Sequence, residues 1–453
     1  MSLWQWEELL SACSLIEPVS GPQISGISLD SRTVVTGDLF VALSGDPGPR
    51  FHSSSSSDRD GHEFIQNAFA RGAAAALVSR EVDVSGPLLT VEDTLDGLWQ
   101  LGSHARNRVQ AKVTAITGSS GKTTARQWLE ELLALQNKTH ASVGSLNNHW
   151  GVPLSLARMP ADSKFGVFEI GTNRSGEIRP LAELVSPDVA LLLNVLPAHI
   201  GHFDNLEAIR REKLSIAKGL SNSGHLIVPV GLDLTGLGHT RRVTFGTTSN
   251  SDVFGEATYH GQQTLVEANV CGKQVNYQLS VGGEHRVLTS LAVLAAMYCL
   301  GADVDLAAAS FSSLDAPRGR GNVISVAGVQ IIDDSYNANP VSMAYGIRAL
   351  QMEKPAGKRI ALLGEMLELG HESVQSHADT ATLAQGLDRV ITVGEGFSAT
   401  PGNGGHYDHV TDIDLDQLLG SIESGDIILV KGSNKVFWAS DFVLRLTAAL
   451  ESR

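Results

Sequence analysis

The segment VTAITGSSGKTTARQWLEELLAL constrains this chain more than any other. A β-branched run (113–117) enters Gly118-Ser119-Ser120-Gly121-Lys122-Thr123-Thr124, and ARQWLEELLAL (125–135) leaves it as a helix. Glycines let the backbone fold so that its N–H groups point inward, and the helix N-terminus adds the positive end of its dipole. Lys122 is spaced to reach β- and γ-phosphates, and the Thr123 hydroxyl to bind Mg²⁺. The residue five before Gly121 is Ile116, so the spacing departs from the common G-x-x-x-x-G-K-[ST]. An ordinary strand-to-helix turn is the alternative, and the strand–loop–helix context favours a phosphate loop.

Strands and helices alternate around this loop. FGVFEI (165–170) reads as a strand, and VALLLNV (189–195) as another, apolar on both faces as buried parallel strands are. This is the rhythm of a parallel sheet with helices on its faces. Residues 252–281 break it with alternating apolar and polar positions around CGK, as in an antiparallel hairpin or meander attached to the α/β core. A second alternation begins near 315. The strands VQIID, RIALLG, RVITVG and DIILVKG are interleaved with helices after Pro340 and over HESVQSHADTATLAQGL, and KVFWASDFVLRLTAAL closes as a helix. That describes a doubly wound unit of about 140 residues. In the first hundred residues, GDLFVALSG (37–45) reads as a strand, and HEFIQNAFARGAAAALVS (62–79) as a helix ending at Gly72 before a buried strand. Between them a turn-rich surface loop carries Ser53 to Ser57. The polar stretch SHARNRVQAK (103–112) marks a boundary, so the expected division is 1–102, 103–314 and 315–453.

The 453 residues accommodate three domains of ordinary size. With 34 Lys+Arg against 49 Asp+Glu the net charge is −15, which argues against nucleic acid or an anionic membrane as partner but not against small anions. Cys13, Cys271 and Cys299 are far apart and form no CxxC pair, as in a reducing compartment. The start MSLWQWEELL lacks a basic region, and no apolar run approaches the ~18 residues of a membrane span. A cytoplasmic protein is expected.

Further candidate chemistry lies at strand ends. Glu169 closes FGVFEI, and His199 follows VALLLNV in NVLPAHIGHF; each reads either as a metal ligand or as an ordinary surface residue. Lys213, in AIRREKLSIAKGL beside Arg210 and Arg211, reads from the residues alone as part of a solvated helix face. QIIDDSYNANPVSM (330–343) ends a strand in Asp333 and Asp334 and continues through Tyr336, Asn337 and Asn339 to Pro340 at a helix start. Its polar density suits a ligand site; the alternative is a capping loop with Asn339 as N-cap. LLGEMLELG (362–370) and ILVKGSNK (428–435) are two more polar or glycine-bearing strand ends in the same sheet. Arg32, in LDSRT, reads either as a phosphate grip or as the partner of Asp30. Asn147 and Asn148 precede a Gly-Val-Pro turn and carry no role by themselves.

Taken together, TGSSGKTT, NNHWGVPLSL, FEIGTNRSGEI and NVLPAHIGHF resemble the Mur ligase family, and the resemblance covers nearly the whole chain. GISLDSRTVVTGDLFVALSG with DGHEFIQNAFARGAAAALV is similar to that family's uridine-nucleotide domain. DDSYNANP and LGEMLELG are similar to the branch that adds D-alanyl-D-alanine to UDP-N-acetylmuramoyl-tripeptide, and the Asp-Asn-Pro-Arg motif of the diaminopimelate- or lysine-adding branch is not found. The resemblance implies three units: a small N-terminal α/β uridine-nucleotide domain, a central parallel-sheet ATPase domain with an antiparallel add-on, and a C-terminal doubly wound, Rossmann-like domain. It also implies ATP and Mg²⁺. Gly118, Ser119, Ser120, Gly121, Lys122, Thr123, Thr124, Arg320, Asp334 and Asn337 would then bind the nucleotide. Thr123, Glu169, His199 and a carbamylated Lys213 would hold metal, with Lys122, Lys213 and His199 serving catalysis. Ser31, Arg32, Asn147, Asn148, Tyr336 and Asn339 would bind substrate. The family's His-Asn-x-x-Asn adenine segment stands here as His285-Arg286-Val287-Leu288-Thr289, with both asparagines lost, and Pro229 replaces a common Asn.

The implied reaction is ATP-driven amide synthesis through an acyl phosphate, on small-molecule substrates, by a monomer. Two other readings stay open: an amide ligase of the folylpolyglutamate type, and a nucleotide-binding protein of the same fold without ligase activity.

Overall fold

The structure is a computed structural model that describes residues 2–16, 20–45, 59–197, 200–238, 240–260, 263–280 and 282–452. The polyserine loop Ser53–Ser57 and His199 lie outside the described residues. Three sheets are present among the described residues.

The first sheet is parallel throughout, in the order β1 (Gly26–Ser28), β2 (Asp38–Val41), β3 (Ala75–Val78), β4 (Leu88–Thr90). Its faces are covered by the helix Ile65–Ala70 on one side and by the helices Trp6–Ala12 and Thr94–Asn107 on the other. Gly72 adopts φ +100° where the short helix turns into β3, and a side chain there would press on Thr36. The helix Thr94–Asn107 is capped by Asp93, which accepts from the Asp96 N–H, and runs through residue 103 to pack against the helix Gly151–Ala157. The expected division at 102/103 therefore falls inside a helix shared by two units.

The central sheet has nine strands: β5 (Lys112–Thr117), β6 (Thr139–Ala141), β7 (Phe165–Glu169), β8 (Val189–Leu192), β9 (His225–Pro229), β10 (Arg241–Gly246), β11 (Val253–His260), β12 (Gln263–Val270) and β13 (Lys273–Leu279). Their order is 13-12-11-10-9-8-5-7-6. Side chains alternate across the buried strands, as the pleat requires. Val189 and Leu191 enter one apolar cluster, while Ala190 and Leu192 enter the cluster on the opposite face. Residues 253–279 form the expected antiparallel meander, but not as an appendage: β11 pairs in parallel with β10, so the meander extends the central sheet. The helix Glu284–Leu300 is apolar nearly all round because it lies between this sheet and the helix Lys122–Ala134.

The third sheet runs β14 (Asn322–Val326), β15 (Val329–Asp334), β19 (Ile427–Lys431), β16 (Arg359–Gly364), β17 (Arg389–Val393), β18 (His406–Tyr407). It is parallel except for β14, an antiparallel edge strand absent from the sequence reading. Helices Pro340–Met352 and Ser373–Ala384 pack on one face, and Leu415–Gly420 and Phe442–Glu451 on the other, which makes the unit doubly wound. The closing helix is not continuous: a π turn over Asn434–Trp438 is separated from Phe442–Glu451 by Asp441 at φ +49°. Among the described residues no helix is long and apolar enough to cross a membrane.

Candidate active site

Three neighbouring parallel strands of the central sheet end together. β5 delivers the loop 118–121, its neighbour β7 delivers Glu169, and its other neighbour β8 leads to Asn194. Carboxyl ends of adjacent parallel strands are where such sheets take ligands. The helix begins at Lys122, three residues earlier than its apolar pattern suggested, with Gly121 at φ +80° as N-cap. That left-handed backbone suits glycine. It leaves the first-turn amides of Lys122, Thr123 and Thr124 without intrahelical partners, and these amides form an anion-binding end. Lys122 Nζ curls back to donate to Gly118 O at 2.9 Å. Burial pulls its pKa down, Glu169 acts against that, and Arg320 adds to it.

The sequence reading turns the loop N–H groups inward, towards a phosphate. Two are occupied otherwise: the N–H groups of Ser119 and Ser120 both donate to Asn194 Oδ1, at 3.0 Å each. The Ser119 hydroxyl is also engaged, with the Leu196 backbone. Asn194 was not singled out from sequence. The available signal was a polar residue ending the apolar run VALLLNV beside the phosphate-loop strand.

Glu169 is buried and bracketed. Thr123 Oγ1 donates to its Oε2 at 2.8 Å and Asn147 Nδ2 to its Oε1 at 2.7 Å. Hard oxygen donors beside an anion-binding loop are the donor type that Mg²⁺ prefers. Among the described residues no three His, Cys, Asp or Glu side chains cluster, so a cation here would lean on hydroxyl and substrate oxygens as well.

Lys213 corrects the solvated-face reading. It is 4% exposed, in the helix Leu206–Leu214, and its ammonium has no hydrogen bond or ion pair among the described residues. Burial, with the Lys122 charge nearby, pushes its pKa down to about 7. Its neighbour Glu212 is also buried and accepts the Gly176 and Ile178 N–H groups, and Arg210 pairs with Glu207. Of the trio, Arg211 alone keeps an exposed position.

The opposite wall comes from the third sheet and the linker before it. Arg320 stacks over the Tyr336 ring at 4.3 Å and donates from Nη2 to Ser145 Oγ of the central unit at 3.2 Å. Asp334 and Lys431 are register partners on β15 and β19, and Lys431 Nζ meets Asp334 Oδ2 at 2.5 Å. Lys431 is 1% exposed, and the sequence points only to its segment, not to the lysine itself. Asn339 is the N-cap of Pro340–Met352, sharing a capping box with Ser342. The N-cap expectation is met, and Asn339 also lines the cavity with Asn337 and Tyr336.

Loop, Glu169, Asn147, Arg320, Asp334 and Lys431 line one cavity of about 410 Å³. Besides Lys213, which does not line this cavity, four expected site residues fall elsewhere or outside the described residues. Ser31 is buried in the turn after β1, and Arg32 lies beside it, 83% exposed at its side chain and paired with Asp30 at 2.6 Å. That bond holds the Asp30 carboxyl down at about 2. Asn148 caps the helix Gly151–Ala157 by accepting the Trp150 and Gly151 N–H groups. His199 is outside the described residues.

This arrangement has counterparts. Residues 116–297 match the Mur ligase middle domain, and residues 319–434 match the Mur ligase glutamate ligase domain. The UDP-N-acetylmuramoyl-tripeptide–D-alanyl-D-alanine ligase of Escherichia coli K12 is 34% identical over 426 residues, covering 90% of this chain and 91% of that protein. The chain belongs to the Mur ligase family. Among Mur ligase structures, MurF from Acinetobacter baumannii superposes with TM-score 0.84 at 30% identity over 99% of this chain and all of that one. The MurF ligase of Thermotoga maritima, solved in complex with ADP, superposes with TM-score 0.80 at 29% identity, over 94% of this chain and 98% of that one. Arg286 stands in the segment His285–Thr289 that the resemblance assigns to adenine. Its buried guanidinium donates to Thr124 Oγ1 and to Arg320 O, while Thr289 turns its hydroxyl back to His285 O.

Proposed function

We propose that the protein is an ATP-dependent ligase that joins D-alanyl-D-alanine to UDP-N-acetylmuramoyl-tripeptide in peptidoglycan precursor synthesis. One observation carries the reading. A phosphate loop, a buried carboxylate held by a loop hydroxyl, and an arginine from the following unit converge on one cavity. Relatives that match over nine-tenths of the chain bear the name of that ligase. In this reading the units 1–102, 103–314 and 315–453 take uridine nucleotide, ATP and the incoming dipeptide respectively; the three sheets support three units, while the first boundary falls within the helix Thr94–Asn107.

A carboxylate is a poor acceptor of an amine, so it is activated first. A tripeptide carboxylate oxygen attacks the γ-phosphorus, the bond to the β,γ-bridging oxygen breaks, and ADP leaves. The dipeptide amine then attacks the acyl carbon, phosphate departs with the electron pair of the C–O bond, and the amine loses a proton. Phosphoryl transfer needs positioning and charge neutralisation, which Lys122, Arg320 and the first-turn amides of the helix supply. Thr123, Glu169, His199 and carbamylated Lys213 would hold Mg²⁺, which neutralises phosphate charge when bound. A lysine amine near pKa 7 is largely neutral at mildly alkaline pH and able to add CO₂, which supports carbamylation. Ser31 and Arg32 would meet the UDP moiety, and Asn147, Asn148, Tyr336 and Asn339 the peptide ends. The protein works as a cytoplasmic monomer in this reading.

The test is direct. With ATP, Mg²⁺, UDP-N-acetylmuramoyl-tripeptide and D-alanyl-D-alanine, the purified protein should yield pentapeptide, ADP and phosphate in equal amounts. Absence of pentapeptide refutes the reading, and product formed with glutamate in place of the dipeptide would favour a folylpolyglutamate-type ligase.

A further inference from the structure

Arg286 is out of place by ordinary rules. It sits in the first turn of the helix Glu284–Leu300, where the helix dipole disfavours a cation, and it is buried. No carboxylate lies within ion-pair distance of it among the described residues, because Asp334, the nearest acidic influence, is bound to Lys431. Its guanidinium instead spans two neutral oxygens. One is Thr124 Oγ1, in the first turn after the phosphate loop, at 3.2 Å. The other is the backbone carbonyl of Arg320.

That second acceptor is informative. Arg320 lies in the linker 314–321, which joins the central and third sheets, between Gly319 at φ +74° and Gly321 at φ +85°. A linker with two left-handed glycines is easily bent at either side of Arg320. A side chain on Gly321 would run into the Arg286 guanidinium, so the linker is pressed against it. The forked, planar donor group of arginine can hold two acceptors in fixed geometry, which a lysine ammonium does not do. The Arg320 side chain then extends from this pinned backbone to Tyr336 and Ser145 over the cavity.

We propose that Arg286 is a positioning residue: it ties the linker backbone at Arg320 to the helix of the phosphate loop and so holds the Arg320 guanidinium over the nucleotide cavity. The direction of Arg320 towards nucleotide rests on the functional reading above. The tether itself rests on the two hydrogen bonds and the glycine-flanked linker.

A double-mutant cycle tests it, with ATP affinity by calorimetry as first readout and steady-state kcat and KM for ATP as second. Arg286→Met should weaken ATP about tenfold, as should Arg320→Ala, each losing a charge-assisted contact. The double variant should bind no worse than Arg320→Ala alone, because Arg286 acts through that side chain. Arg286→Lys, which keeps charge and bulk but not the fork, should fall between wild type and Arg286→Met. It also carries the cycle if the methionine variant does not fold. Additive losses, or unchanged affinity in Arg286→Met, overturn the tether; a merely structural role gives additivity. Wild type that binds ATP but forms no pentapeptide overturns the functional reading and leaves the cycle decisive for the tether. Wild type that binds no ATP overturns both.

Discussion

Replacing Lys431 by methionine isolates the contribution of one buried charge pair. Lys431 is enclosed, with a side chain 2% exposed, and its ammonium meets Asp334 Oδ2 at 2.5 Å across paired strands. Methionine fills much of the volume of the lysine stem, so the change is chiefly electrostatic. Removing one partner of an enclosed pair costs about 3–5 kcal/mol, because the other charge stays buried alone. The Asp334 side chain is 26% exposed and retains some water, which lowers the expected loss to about 2–3 kcal/mol. Spread over a unit of about 140 residues, that is a fall of about 5–10 °C in its melting temperature. The assay is thermal and urea unfolding of the full chain, followed through the transition of the third sheet. Lys431→Met with Asp334→Asn removes the stranded charge and should recover at least half of the loss. Wild-type stability in the single variant, or a double variant no better than the single, would refute the reasoning.

Other outcomes are expected on the same grounds. Lys213 should be about one-tenth neutral at pH 6 and about nine-tenths neutral at pH 8, given a pKa of about 7. A carbamate signal in ¹³C NMR with labelled bicarbonate should therefore grow as pH rises through 7 and be absent in Lys213→Ala. Glu169→Gln keeps an acceptor for Thr123 but loses the charge, so pentapeptide formation should drop about a hundredfold with little change in urea midpoint. Asn339→Ala removes the N-cap of Pro340–Met352 and should cost about 1 kcal/mol in urea unfolding.

What the sequence disclosed follows from how local each signal is. The strand, phosphate loop and helix at 112–134 are adjacent in the chain, so glycine, lysine and an apolar run suffice to read them. The same holds for Asn339 and Pro340, where cap and first turn are neighbours. Lys213 was misread because REK spells a wet helix face, and the distant neighbours of this helix, Lys122 near Lys213 and the amides of Gly176 and Ile178 on Glu212, are encoded by no helical period. The meander at 253–279 was legible in its hairpins, which are local. Its attachment to β10 was not, because it rests on two register pairs between strands whose pairing no local pattern announces. Asn194 gave the weakest signal, a single amide whose role exists only once β8 lies beside β5.

That amide has a kinetic consequence. Because Asn194 already grips two loop N–H groups, the loop keeps its curvature before any nucleotide arrives, and the entropy of ordering it belongs to folding rather than to binding. ATP should accordingly associate in a single fast phase in stopped-flow traces. Asn194→Ala should introduce a slower, concentration-independent phase as the slackened loop closes around the phosphates.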